Sequence, residues 1–449
     1  FDPDGDGLYE SYINTWPTDT VWYNGGGSVE ESAYAYTVHR ALADMARRAG
    51  DAAVAEQHQQ AAAHIQSALR RVLWVKDKGH FAAYIEQGGH QRVHEDAWLY
   101  SEFLPIDAGL TSFEESLQAL YYCEWGLENV EPKSGGRRVW TSNWVPSKWS
   151  ARELYHGDNY HLALAYFQSG LGRQGWEILK GNLLDSGYAR VAPGSQSMAA
   201  AGTDFADILH PFCRAVVEGL FGYVPDLPNG VVRLRPAWPE EWPEASIATP
   251  DFSLHYRQDR DGEHYELKLA REAAVEFRIP VRAERVTAVT CNGAAATWIA
   301  EAGSGCTMVH LNQAKAGSFV LDVRVSGRLA PMGWQSVAGR QADAVGLAVA
   351  RGEVVAVNDL HGALVAPETR GVEVRARLAN KPGHHLVLLK VRVGELEQWA
   401  AFRIHITDPE GEARQALRTP RTAPAGARWQ CLELAPVLNG DVRTIFQQQ

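Results

Sequence analysis

The chain has 449 residues, a net charge of −11 and a mean hydropathy of −0.27. That length is enough for several domains, and 45% hydrophobic against 22% charged residues excludes a disordered or fibrous chain. No apolar run approaches the ~18 residues of a membrane span, and the acidic balance lacks the basic stripe of a nucleic-acid binder.

The chain starts on Asp2-Pro-Asp4-Gly-Asp6-Gly7, read first as a polar turn whose Asp side chains hold backbone N–H groups. A calcium loop using Asp2, Asp4 and Asp6 and closed by Glu10 is the alternative; an EF-hand is excluded because its twelfth position is Ile13. The following loop carries Trp16, Asp19 and Trp22 and ends in three glycines. Indole faces stack on sugar rings while a carboxylate bridges hydroxyls, so this loop is a candidate carbohydrate contact. Ser28 and Glu31 form a capping box before a helix in which Tyr34, Val38, Leu42, Met45 and Ala49 recur at helical spacing. A second helix follows Gly50-Asp51 to about Trp74. Others are expected at 94–104, 112–125, 158–169, 174–184 and 205–220, with Gly170 and Gly187 at helix ends. Helices entered from polar, aromatic loops alternate with plainer amphipathic ones. A ring of helical hairpins has that alternation, and these helices make about half of one.

From Pro225 the texture changes to a proline-punctuated linker and then alternating strands, with an Asp261-Gly262 hairpin turn. The expected architecture is multidomain α plus β: an α/α toroid region over 1–224, a β-sandwich over 225–330 and a second β-rich domain over 331–449. Five scattered cysteines without a Cys-x-x-Cys pair exclude a disulfide scaffold or zinc ribbon.

Two further stretches concentrate polar and aromatic groups at helix starts. In His94-Glu95-Asp96, Asp96 is either a helix cap or a proton donor, and a donor needs burial or a neighbouring acid to raise its pKa. The run Trp140, Asn143, Trp144, Glu153, His156, Asp158, Asn159 and His161 is the densest such cluster, and capping explains at most Asp158. His-Glu-x-x-His, phosphate-loop and Gly-x-Ser-x-Gly patterns are absent.

Asp4-Gly-Asp6-Gly-Leu-Tyr-Glu10, the Trp-rich loop, Gly-Gly-Ser-Val-Glu-Glu-Ser-Ala-Tyr34 and Ala-Asp44-Met-Ala-Arg-Arg-Ala-Gly50-Asp51 resemble six-hairpin glycoside hydrolases. The nearest pattern is the bile-acid β-glucosidase (non-lysosomal glucosylceramidase) family, over roughly residues 1–220. By hairpin count the resemblance puts that family's acid/base Asp on Asp96. It puts the family's Asp-Thr-Trp on Asp19-Thr-Val-Trp22, and its Glu-x-Trp-Thr-Gly motif on Glu153 to Tyr160. The family's nucleophilic Glu falls before Phe1, so further chain is expected upstream. That family has no counterpart of the β-regions after the toroid.

The expectation is therefore a glycoside hydrolase acting on an oligo- or polysaccharide through paired carboxylates, with Asp96 ahead of Asp158 as the acid. Trp16, Asp19, Trp22, Trp140, Asn143, Trp144, Glu153, His156, Asn159 and His161 are the expected sugar contacts. No cofactor is expected beyond a structural calcium. The alternatives are a polysaccharide lyase with a Tyr or His base and a non-catalytic carbohydrate binder. A secreted or periplasmic location is favoured, and the oligomeric state is not readable.

Overall fold

The computed structural model describes residues 2–11, 26–87, 90–96, 98–143, 152, 154–184, 196–198, 203–205, 209–408, 429–431 and 446–448. Trp16, Asp19, Trp22, Trp144 and Glu153 lie outside them. The chain forms two compact units. One is Phe1–Ala165 with Ile178–Pro211 and Pro409–Gln449; the other is Tyr166–Glu177 with Phe212–Asp408. Among the described residues no helix is long and apolar enough to cross a membrane, and Cys123, Cys213, Cys291 and Cys306 are free thiols.

Helices α1 (Val29–Arg48) and α2 (Ala52–Ala68) form an antiparallel hairpin. Ser28 caps α1, its hydroxyl accepting the Glu31 N–H and contacting the Glu31 carboxylate. Asp51 caps α2 through the Val54 N–H at 3.0 Å. The apolar repeat read from the sequence is not the packed face. Tyr34, Val38 and Met45 are 50%, 55% and 64% exposed. Val29, Ser32, Ala33, Tyr36, Ala43 and Ala46 face inward instead. Four of these six are alanine or serine, so the inward face is built mainly of small side chains.

Helix α3 (Leu99–Asp107) starts five residues later than expected. Helix α4 (Phe113–Trp125) carries the reciprocal Ser112–Glu115 capping box. Helix α5 (His156–Gln168) is buried all round, with Tyr160, Leu162, Ala163, Leu164 and Ala165 fully enclosed, as an interior helix must be. Helix α6 (Gly172–Asn182) follows, and α7 (Leu209–Arg214) runs on into a π-helical turn.

Short strands join the helix starts. Strands β1 (Tyr9–Ser11) and β2 (Gly26–Ser28), with Tyr84–Ile85 and Val93–His94, form one antiparallel sheet in that order. It closes tightly around the glycines. Gly26 has φ +133°, and a Cβ there would lie 1.8 Å from the Ile85 carbonyl oxygen. A Cβ on Gly27 would meet Leu8, which is fully buried, at 2.6 Å. Gly26→Ala is therefore expected to cost about 2–4 kcal/mol, from backbone strain plus overpacking. An unchanged midpoint in chemical denaturation would overturn this.

In the second unit the strands from Tyr223 to Arg328 hydrogen-bond into one nine-stranded sheet. Its spine is the antiparallel pair Gly262–Val281 and Cys306–Arg328. The expected Asp-Gly turn is instead held by Asp259, whose carboxylate accepts the Asp261 and Gly262 N–H groups at 2.8 and 3.0 Å. Beyond Pro331 a four-stranded and a three-stranded sheet share one core, in which Leu347, Val374 and Leu378 meet Val387, Leu389 and Ile404.

Candidate active site

The starts of α1, α3 and α5 are fastened together by backbone hydrogen bonds. Ser28 of β2 pairs with Tyr84, and Tyr84 pairs with His94. Because both pairings are antiparallel, β2 and Val93–His94 run the same way, two strand spacings or about 10 Å apart. Glu30 and Asp96 each lie two residues past those aligned positions, on the same edge. The Leu99 N–H, opening α3, donates to the Thr141 carbonyl at 3.0 Å. Two residues earlier, Val139 exchanges hydrogen bonds with the Asn159 side chain at the start of α5. Pairwise backbone links thus connect four stretches of chain in series: the start of α1 at Glu30, the loop at Asp96, Trp140 to Asn143, and His156 to Asn159.

Asp158 is 2% exposed and is the third residue of α5, so it stands inside the first turn and not at the cap. Glu30 occupies the equivalent first turn of α1. Its carboxyl is held well above the usual carboxylate range, chiefly by burial and then by the charges of Glu31 and Asp158. The Tyr34 hydroxyl, one turn on, is also raised. Partial burial comes first, although half of the residue is exposed, followed by Glu30, Asp158, Asp107 and Glu31. His161 Nε2 meets Asp107 Oδ2 at 3.0 Å and stacks on Phe103. Acids from three helices thus act on one small region.

Glu30 is the residue that sequence reasoning missed. Glu31 was explained by the capping box, and its neighbour was passed over with it. The available signal was a second carboxylate that the cap does not need.

The remaining expected residues sort by what their side chains touch. Asp96 is half-buried in the loop before α3, whose cap is Trp98, so Asp96 is not that helix's cap. Its neighbours point elsewhere: His94 bonds Glu86 at 2.9 Å and Glu95 pairs with Lys78 at 3.5 Å. The half-buried Trp140 ring lies under the Arg152 guanidinium at 5.2 Å, and its Nε1 is buried without a hydrogen-bond partner among the described residues. Asn143 donates to the Gly126 carbonyl. His156 is 4% exposed at the first position of α5.

Asn159 is a correction. Its Oδ1 accepts the Val139 N–H at 2.8 Å, and its Nδ2 donates to the Val139 and Tyr155 carbonyls at 2.9 and 2.8 Å. Fully buried and fully used, it has no hydrogen left for a sugar. Asn159→Ala should cost about 2–3 kcal/mol, because the buried Val139 N–H and carbonyl both lose their partner, while the Tyr155 carbonyl keeps the backbone N–H of residue 159. A urea midpoint within experimental error of the parent would refute the fastening role.

At the amino end, Asp2, Asp4, Asp6 and Glu10 each bring a carboxylate oxygen within 4.8 Å of the others. The turn reading also holds there: Asp2 accepts the Gly5 and Gly7 N–H groups, Asp4 that of Asp6, and Asp6 that of Leu8. Glu10 is pushed up to about 7, by burial first and then by Asp4 and Asp2.

Residues 11–120 match the family model of the mannosylglycerate hydrolase MGH1-like glycoside hydrolase domain. The matched stretch contains Glu30 and Asp96; Asp158 lies beyond it. Similar solved structures include an α-L-rhamnosidase from Streptomyces avermitilis complexed with L-rhamnose, at 13% identity and TM-score 0.43, covering 71% of this chain and 29% of that one. Another is an α-L-rhamnosidase from Dictyoglumus thermophilum, at 10% identity and TM-score 0.40, covering 66% and 31%. A sialidase follows at 14% identity and TM-score 0.42, covering 59% and 26%. This chain spans about three-tenths of the length of the two rhamnosidases. No curated protein matches the sequence.

Proposed function

We propose that the chain hydrolyses glycosidic bonds in an oligo- or polysaccharide through paired carboxylates, Glu30 and Asp158, held at the mouths of two helices of an α/α toroid. The observation that carries this reading is the electrostatic pairing of Glu30 with Asp158 at two fastened helix starts. The glycoside hydrolase family match over the stretch containing Glu30 supports it. Glycoside hydrolysis needs one carboxylic acid that keeps its proton for the leaving oxygen and a second carboxylate to act as base or nucleophile. Burial and a neighbouring acid raise a carboxyl pKa, and Glu30 has both. The proposal therefore moves the acid from Asp96 to Glu30, with Asp158 as its partner. Asp96, leaving the same sheet edge, and Trp140 are then placed to contact the sugar.

The test is a panel of oligosaccharides and aryl glycosides, including a β-glucoside for the bile-acid β-glucosidase likeness. Release of reducing sugar is the expected result. An ultraviolet-absorbing unsaturated product would make the chain a lyase, and binding without turnover would make it a carbohydrate binder.

A further inference from the structure

We infer that Asp2, Asp4, Asp6 and Glu10 form a binding site for one calcium ion, which ties the amino-terminal turn to β1. Acidic turns are common without a metal, and the N–H contacts of the three aspartates would suit a plain turn. Glu10 does not fit that explanation. It is 7% exposed, it projects from β1 into the cluster, and neither carboxylate oxygen has a hydrogen-bond partner among the described residues. A buried, unpaired acid facing three others is costly unless a cation joins them.

The donor set favours calcium, which takes several protein oxygens at once, whereas magnesium usually keeps several waters and is bound through one or two carboxylates. One oxygen from each of the four carboxylates lies within 4.8 Å of the others, close enough for a single ion to reach all four. All four donors are carboxylate oxygens, the hard ligand type calcium takes, and backbone N–H groups already hold the aspartates in place. Glu10 lies opposite Gly27 in the β1–β2 pairing, next to the Ser28 cap of α1. An ion held here would therefore brace the strand pair from which α1 starts.

The experiment uses the whole chain, stripped with a chelator and then titrated with calcium chloride in a calorimeter. One site per chain is expected, together with a rise in Tm of at least about 4 °C at saturating calcium and a smaller rise with magnesium. Glu10→Gln, which keeps the shape and removes the charge, should abolish the calcium-dependent rise. No binding heat and equal Tm with and without chelator would overturn the inference, as would an undiminished rise in the Gln variant. The wild-type titration decides the matter even if the variant does not fold, and neither readout depends on hydrolysis.

Discussion

Asp158→Asn is expected to lower kcat by about 10²–10⁴-fold, the usual contribution of a positioned general acid or base, while the protein stays folded. The substitution is isosteric and removes a buried charge that acts on Glu30, so Tm should hold or rise. A base or nucleophile acts on the sugar and not on the leaving group. An activated aryl aglycone should therefore leave the deficit in place. Asp96→Asn, made beside it, should lose less than about tenfold, as expected of a sugar contact. If Asp96→Asn is the inactive variant and Asp158→Asn is not, the hairpin count was right and the assignment to Glu30 and Asp158 fails.

Glu30→Gln should cost a similar factor and differ in kind. As the acid, Glu30 protonates the leaving oxygen, so the loss should shrink on substrates whose aglycone needs no proton. Its pH signature follows from the direction of the shift. Glu30 in the folded protein holds its proton well above the ordinary value of 4.5. The folded state thus binds a proton that the unfolded chain releases. This group leaves stability at its maximum below about pH 4.5 and reduces it as pH climbs towards the folded pKa. The Gln variant should be at least as stable as the parent at neutral pH and should lose the alkaline limb of the kcat/KM profile. A variant that is less stable and still active would mark Glu30 as structural.

Much of the helical region was legible because caps and stops are local chemistry. Ser28, Asp51 and Ser112 each accept the backbone N–H three residues on, and the Ser28 cap is the one that its spacing to Glu31 announced. The start of α3 was misjudged because Asp96 is a plausible cap in sequence, whereas the backbone there is taken up by the sheet through His94. The packed face of α1 was misread for a different reason. Periodicity reports where large apolar residues fall, and here four of the six buried residues of α1 are alanine or serine. At the candidate site, clustering in sequence grouped Asp158, His156 and Asn159 but could not tell which of them fastens the backbone. Asn159 is spent on Val139, a pairing across twenty residues that no local pattern announces. Glu30 and Asp158 lie far apart in the chain, and only the folded sheet and helix starts make them act on each other.

The outward face of α1 also bears on how the protein behaves in bulk solution. Its mean hydropathy describes a polar molecule, yet Tyr34, Val38, Leu42 and Met45 line one side of a single helix with 37–64% of each surface exposed. Concentrated sulfate or phosphate strengthens the burial of apolar surface while leaving dispersed polar surface little changed. Salting-out and retention on a hydrophobic column should therefore exceed what the average over 449 residues suggests, and this stripe is one contributor.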